Sequence, residues 1–367
     1  MPDVRSLSAG PLGPRPLAVT ADPDALDDLL RLAAGVGVEL EVAADGGAAR
    51  RSWSTAPYVV VCVDALASCL RARLPRRTGV VLLGADLPEG DVWQGAVELG
   101  AEQVVALPEA ERWLADRLAD AVESRGPAGS LVAVVGGRGG AGATTLACAL
   151  AVTATRCGRP TLLVDGDPLG GGIDLVFGGE RDDGVRWPEL SATRGRVPAA
   201  ALDGALPRMA GLSVLSYGRG DPAHVPVEAV RAVLSAGRRA NELVVVDLPR
   251  SLDDGARAVL GLATTVLLVV PNEVRAAAAA SRVAAGLGLL CADLRVVARG
   301  PSPTGLTGDR VAAALGLPLV ADLRAEPGID SALERGEPPG RRGRGPLSAL
   351  CQRPVDELLP PVLDRVA

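Results

Sequence analysis

Leu131-Val132-Ala133-Val134-Val135-Gly136-Gly137-Arg138-Gly139-Gly140-Ala141-Gly142-Ala143-Thr144-Thr145-Leu146-Ala147 is the stretch from which the rest of this 367-residue chain is read. Its apolar opening reads as a buried strand. From Gly136 to Gly142 every residue is Gly or Ala except Arg138. At Thr144 a run with helical character begins. Strand, glycine loop and helix start form the context of a phosphate-binding loop. Glycine lets the backbone take positive φ and turn N–H groups inward. The following helix N-terminus adds unpaired N–H groups and the positive end of a dipole. A triphosphate fits such a cradle.

Gly137 to Thr144 follows the spacing G-x4-G-K-[ST], except that Ala143 stands at the lysine position. The chain has no lysine; all 38 of its basic residues are arginine. A glycine-rich strand-to-helix turn without a ligand is the competing reading. Two further strand ends favour the phosphate loop. Thr161-Leu162-Leu163-Val164 runs into Asp165-Gly166-Asp167-Pro168, and Leu243 to Val246 runs into Asp247-Leu248-Pro249. Carboxylates at the C-terminal edge of parallel strands face the crevice where ligands bind. The second segment has the form of a Walker B strand, whose Asp orients Mg²⁺ and its waters.

Hydrophobic residues make up 48% of the chain and aromatics only 2%, so the core must be built from Val, Leu and Ala. A net charge of −6 argues against a general polyanion binder, DNA included. The arginine clusters at 71–77, 238–239 and 341–344 read as solvated faces and tails. Cys62, Cys69, Cys148, Cys157, Cys291 and Cys351 contain no CxxC pair and read as reduced, mostly buried thiols of a cytoplasmic protein. The lone His224 argues against a His-based metal centre. No apolar run approaches the ~18 residues of a membrane span, and no signal peptide is evident.

The chain divides by pattern into a loose tail at 1–15, a first domain at 16–123, a linker at 124–130, a second domain at 131–338, and a Pro/Gly/Arg linker with a helical tail at 339–367. In the first domain, strands at 17–20, 38–42, 58–63, 79–83 and 103–106 alternate with helices at 23–34, 91–99 and 109–122. Asp22 is a plausible N-cap for the first helix. The second domain continues with a strand at 265–270 leading to Pro271-Asn272-Glu273, an Ala-rich helix at 274–290, and strands at 294–298 and 319–320. The fold class is α/β throughout, with parallel sheets.

The first domain resembles a response-regulator receiver, a flavodoxin-like fold. Asp64 falls where such domains carry the phosphate-accepting Asp. The supporting groups are missing: the acidic pair is reduced to Asp22, and Leu107 precedes Pro108 where a Lys is expected. Without them phosphoryl transfer loses its charge stabilisation. The domain is therefore expected to be a degenerate, contact-making pseudo-receiver, with Asp64 a turn residue.

The second domain resembles the MinD/ParA class of deviant Walker A ATPases, P-loop NTPases with a mostly parallel sheet. Its loop KGGxGK[ST]T is matched by Arg138 to Thr145, and VDGDP, VVVDLP, VVPNE and PGIDSALERGEP follow in family order. A receiver-like domain ahead of it is similar to the CpaE/TadZ pilus-localisation branch and to septum-site-determining proteins of high-GC bacteria. The resemblance implies ATP and Mg²⁺ as cofactors. Gly137, Gly139, Gly140 and Gly142, with Arg138, Ala141, Ala143, Thr144 and Thr145, would hold the nucleotide. Thr144 and Asp247 would serve the metal. Asp167 would position the attacking water, and Arg138 would reach across a dimer as the signature lysine does. Arg299 stands where the family usually has an adenine-reading Asn. The implied protein is a nucleotide-dependent homodimer and spatial regulator, a weak ATPase at most. It would engage division or pilus/secretion machinery and be recruited by partners to membrane, septum or pole. A non-hydrolysing scaffold and a DNA-coating partition ATPase are the alternatives.

Overall fold

The computed structural model describes residues 15–84, 91–123, 128–219 and 224–359. Nearly all of the expected tail at 1–15, positions 124–127 of the expected linker and the end of the C-terminal segment lie outside them. The chain divides into two units, Met1–Arg125 and Gly126–Ala367.

In the first unit, β1 (Leu17–Val19), β2 (Glu41–Ala43), β3 (Val59–Cys62), β4 (Val80–Gly84) and β5 (Gln103–Ala106) form one parallel sheet in the order β2-β1-β3-β4-β5. Strand side chains alternate between two cores: Val59 and Val61 pack with Trp53 and Leu66, whereas Val60 and Cys62 pack with Leu29 and Leu114. Asp22 caps the helix Pro23–Gly35 by accepting from Asp24 N at 3.0 Å. The strand expected through Val63 ends at Cys62. Val63 opens the helix Val63–Arg71, and Asp64 lies in its first turn, where an acidic group suits the dipole.

In the second unit, β6 (Ser130–Gly136), β7 (Thr161–Asp165), β8 (Arg208–Met209), β9 (Leu212–Leu215), β10 (Leu243–Leu248), β11 (Thr265–Pro271), β12 (Leu294–Arg299) and β13 (Leu319–Leu323) form an eight-stranded sheet. The order is β13-β12-β11-β6-β10-β7-β9-β8, parallel except for the β8–β9 pair. β6 lies between β10 and β11, where connections leave in opposite directions. This is the switch point at which α/β sheets open a crevice.

The helix Ala143–Arg156 follows β6 and buries every residue from Leu146 to Ala154. A helix apolar all round needs cover on its outer side too. The helix Pro346–Leu358 supplies it: Leu347, Leu350, Cys351 and Val355 are buried in the same core as Leu146, Leu150 and Val132. Residues expected to form a linker and tail, as far as Leu359, are thus part of this unit. Gly340 explains how close the approach is. It has φ +81°, and a Cβ built there would lie 3.2 Å from the Ala149 carbonyl oxygen. All six cysteines are free, four of them buried.

Candidate functional site

The loop after β6 is anchored on one side by Gly137 N, which donates to Val269 O of β11 at 2.8 Å. Side chains are excluded at its base: a Cβ on Gly137 would lie 2.7 Å from Ala280 Cβ. At its tip Gly139 and Gly140 face open space, with Gly140 at φ +66°. Gly142, at φ +97°, occupies the N-cap position of the helix that Ala143 begins. Ala143, Thr144 and Thr145 therefore present first-turn amides with no partner inside the helix. Left-handed glycines and free first-turn amides are the features of an anion cradle.

Thr144 Oγ1 donates to Asp247 Oδ2 at 2.6 Å, joining the helix start to the end of β10. Asp247 is 6% exposed. It lies in register beside Asp165 of β7, so the two strand ends bring two carboxyl groups together. Burial pushes the Asp247 carboxyl up to about 7, with Asp165 and Asp167 adding repulsion against the hydrogen bond from Thr144. Burial likewise pushes Asp165 up to about 6, opposed by its hydrogen bonds.

Those bonds assign Asp165 a structural task. Its Oδ1 accepts from Asp167 N at 3.1 Å, and its Oδ2 accepts from Ile173 N at 3.1 Å and Ser216 Oγ at 3.3 Å. Trp187 Nε1 donates to its carbonyl oxygen at 2.7 Å. Ser216 Oγ also reaches Asp174 Oδ1 at 3.3 Å; that buried carboxylate meets Arg219 Nη2 at 2.7 Å and Arg186 Nε at 3.5 Å. The loop carrying Asp167 is held by this network. Among the described residues the Asp167 carboxylate accepts only a local turn bond, from Leu169 N at 3.0 Å, and it is half-buried at the crevice. The DxD spacing identified the pair. Ser216 and Arg219, which follow β9, come to it through the pairing of β7 with β9, and Arg186 comes from the segment between β7 and β8.

Arg138 does not point into open solvent. Its Nη2 donates to Glu273 Oε1 at 3.0 Å and Oε2 at 3.2 Å, and its Nη1 donates to Gly139 O at 3.0 Å. Arg299 ends β12 on the same side of the sheet as the loop. Its Nη1 would lie 3.3 Å from a Cβ built on Gly142. The loop from Gly137 to Thr145, Asp247, Asp167 and Arg138 thus stand at adjoining strand ends, and Arg299 joins them.

In the first unit Asp64 is occupied differently from an acceptor. Its Oδ1 accepts from Thr20 Oγ1 at 3.0 Å and its Oδ2 from Ala21 N at 2.8 Å, so it closes the turn after β1. Among the described residues, no helix is long and apolar enough to cross a membrane, and no group of three or more His, Cys, Asp or Glu could hold a metal ion on its own. A cation at Thr144 and Asp247 would need oxygens from its nucleotide and water, which is how Mg²⁺ is ordinarily held in phosphate sites.

A family model described as the Rv3660c-like, CheY-like N-terminal domain matches residues 19–129. The uncharacterized protein Rv3660c of Mycobacterium tuberculosis (strain ATCC 25618 / H37Rv) is 44% identical over 336 residues, covering 90% of this chain and 94% of that one. Among solved structures, a ParA family ATPase from Chlorobium tepidum TLS matches with TM-score 0.56 at 15% identity, over 62% of this chain and 98% of that one. The septum site-determining protein MinD complexed with Mg-ADP, from Pyrococcus horikoshii OT3, matches with TM-score 0.53 at 20% identity, over 62% of this chain and 95% of that one. At such identities the likeness concerns the fold. The chain belongs to the Rv3660c-like family, in which a CheY-like unit precedes a unit with the P-loop fold of MinD and ParA ATPases.

Proposed function

We propose that this protein is a nucleotide-gated spatial regulator. It binds ATP with Mg²⁺ in the loop from Gly137 to Thr145, forms a homodimer when loaded, and turns the nucleotide over slowly. The observation that carries the reading is the 2.6 Å hydrogen bond between Thr144 and Asp247 beneath a cradle shaped by Gly140 and Gly142. A hydroxyl and a carboxylate brought together beside free amides suit a metal-bound polyphosphate. The solved MinD relative was captured with Mg-ADP, which supports the same guest here. In this reading Thr144 and Asp247 serve the metal, Asp167 positions water and Arg138 reaches the partner's nucleotide. Bound Mg²⁺ would neutralise charge on the phosphates. Ala143 removes a cation from that task, so turnover is slow.

The CheY-like unit serves as a docking module, since Asp64 is committed to a turn. Its clients are division or pilus/secretion machinery that recruits a cytoplasmic protein to septum, pole or membrane. Titration with a fluorescent ATP analogue and Mg²⁺, followed by light scattering, tests the reading. Saturable binding and a doubling of mass with ATP are expected. A chain that binds no nucleotide is instead a scaffold with an empty loop. A salt-sensitive shift of duplex DNA by the ATP-loaded form would return the partition ATPase to consideration.

A further inference from the structure

The cation missing from position 143 has a candidate replacement 156 positions along the chain. β6, β11 and β12 are neighbours in the parallel sheet, so the C-terminal end of β12 opens beside the loop that follows β6. Arg299 is the last residue of β12. Its backbone is fixed on both sides: its carbonyl accepts from Asn272 N at 2.8 Å, and the next amide, Gly300 N, donates to Leu323 O at 2.8 Å. The side chain extends to Gly142, the residue immediately before Ala143. Nη1 and Cδ would lie 3.3 and 3.7 Å from a Cβ built there.

The two arginines at this loop differ in one respect. Arg138 is engaged by Glu273. The Arg299 guanidinium has no hydrogen bond or ion pair among the described residues. It is half-buried, and Gly142, which it approaches, is the N-cap of the helix Ala143–Arg156. A positive group beside a positive dipole end is unfavourable by itself and becomes favourable when an anion lies between them. The same juxtaposition would be natural for a residue that contacts phosphate oxygens together with the first-turn amides.

We propose that Arg299 is the phosphate-contacting cation of this site, taking over from β12 the charge that a lysine at position 143 ordinarily supplies from the loop. Its guanidinium would bind a di- or triphosphate, not the base. This inference rests on the proposed nucleotide-binding function. Guanidinium contacts to phosphate are charge-assisted and directional, and one such contact changes affinity by about tenfold or more.

The test measures binding affinity and not turnover. A fluorescent ATP analogue is titrated with Mg²⁺ into wild type, Arg299→Ala, Ala143→Lys and the double variant, each first checked for wild-type thermal melting. Adenosine is titrated in competition. Arg299→Ala is expected to weaken ATP at least tenfold and to leave adenosine within twofold. Adding Ala143→Lys to it is expected to restore ATP binding to within about threefold of wild type. Equal ATP binding by wild type and Arg299→Ala overturns the inference and leaves nucleotide binding standing. So does loss of ATP binding without rescue by Ala143→Lys, or a parallel loss of adenosine. If wild type binds no ATP at all, the proposed function fails, and this inference fails with it.

Discussion

Arg138 and Glu273, 135 residues apart, form a forked contact in which one guanidinium nitrogen donates to both carboxylate oxygens, at 3.0 and 3.2 Å. Glu273 stands at the start of the helix Val274–Leu287, so the pair ties the phosphate loop to the strand end of β11. Both side chains are half-buried, at 34% and 41% exposure. A pair so exposed is worth about 0–1 kcal/mol, weak enough to be exchanged for a phosphate on a partner chain. Glu273→Gln releases Arg138 and should lower the ATP concentration needed for dimerisation by a fewfold, read by light scattering. Arg138→Ala should bind ATP like wild type and remain monomeric. Unchanged dimerisation in both variants would assign the pair to local structure only.

The parts of this site visible in the sequence are those that are local in the chain. Gly137 to Thr145 are one continuous stretch, Asp167 lies two residues past the end of β7, and Asp247 directly follows the apolar run Leu243–Val246. The supports are not local. Ser216 and Arg219 meet Asp165 and Asp174 because β9 pairs with β7, and Arg299 meets Gly142 because β11 separates β12 from β6 by one strand. No spacing in the sequence encodes those pairings. The first unit shows the same limit. Its strands were legible as Val-rich runs, yet the helix Val63–Arg71 was hidden because Val63 continues the apolar run of β3.

Asp247 makes stability depend on pH. Its carboxyl rises from an ordinary value of 3.8 to about 7, through burial first and the neighbouring carboxylates second. Between those values the folded chain holds a proton that the unfolded chain has released. The contribution of this group to stability is therefore fully present below about 4 and is lost as pH rises through about 7. Asp165, pushed to about 6, acts in the same direction. The shift of Asp247 corresponds to at most about 4 kcal/mol. In a chelator without nucleotide, wild type should melt at a lower temperature at pH 8 than at pH 5. Asp247→Asn should flatten that dependence. An identical slope in the variant would locate the penalty elsewhere.

Asp64 offers a contrast between a turn residue and a phosphate acceptor. Its two oxygens satisfy Thr20 Oγ1 and Ala21 N. Asp64→Ala leaves both donors without that partner and should cost about 1–2 kcal/mol of stability, seen as a lower melting midpoint in urea. Asp64→Asn keeps one acceptor oxygen and should lose less. Incubation of wild type with acetyl phosphate and Mg²⁺ should leave its intact mass unchanged. An added mass of one phosphoryl group, absent from Asp64→Ala, would restore the acceptor role.

The C-terminal helix decides whether the phosphate loop has a rigid base. Leu347, Leu350, Cys351 and Val355 recur three and four residues apart and face the helix Ala143–Arg156. Pro354 interrupts the run, which the sequence reads as a helical tail with a weak apolar face. It is tolerated at a cost of about 3 kcal/mol in an ideal helix interior, and burial of the flanking apolar side chains opposes that cost. Leu350 is 6% exposed. Leu350→Ala should destabilise the second unit by about 2–4 kcal/mol and lower its melting temperature, without touching the nucleotide loop. Truncation after Gly345 uncovers the outer side of a helix buried all round. The shortened chain should aggregate or melt far below wild type, and its ATP affinity should fall for want of a fixed helix N-terminus. If the truncated chain stays soluble with an unchanged melting curve, the helix Ala143–Arg156 is held by the sheet alone, and residues 346–358 are free to serve a partner.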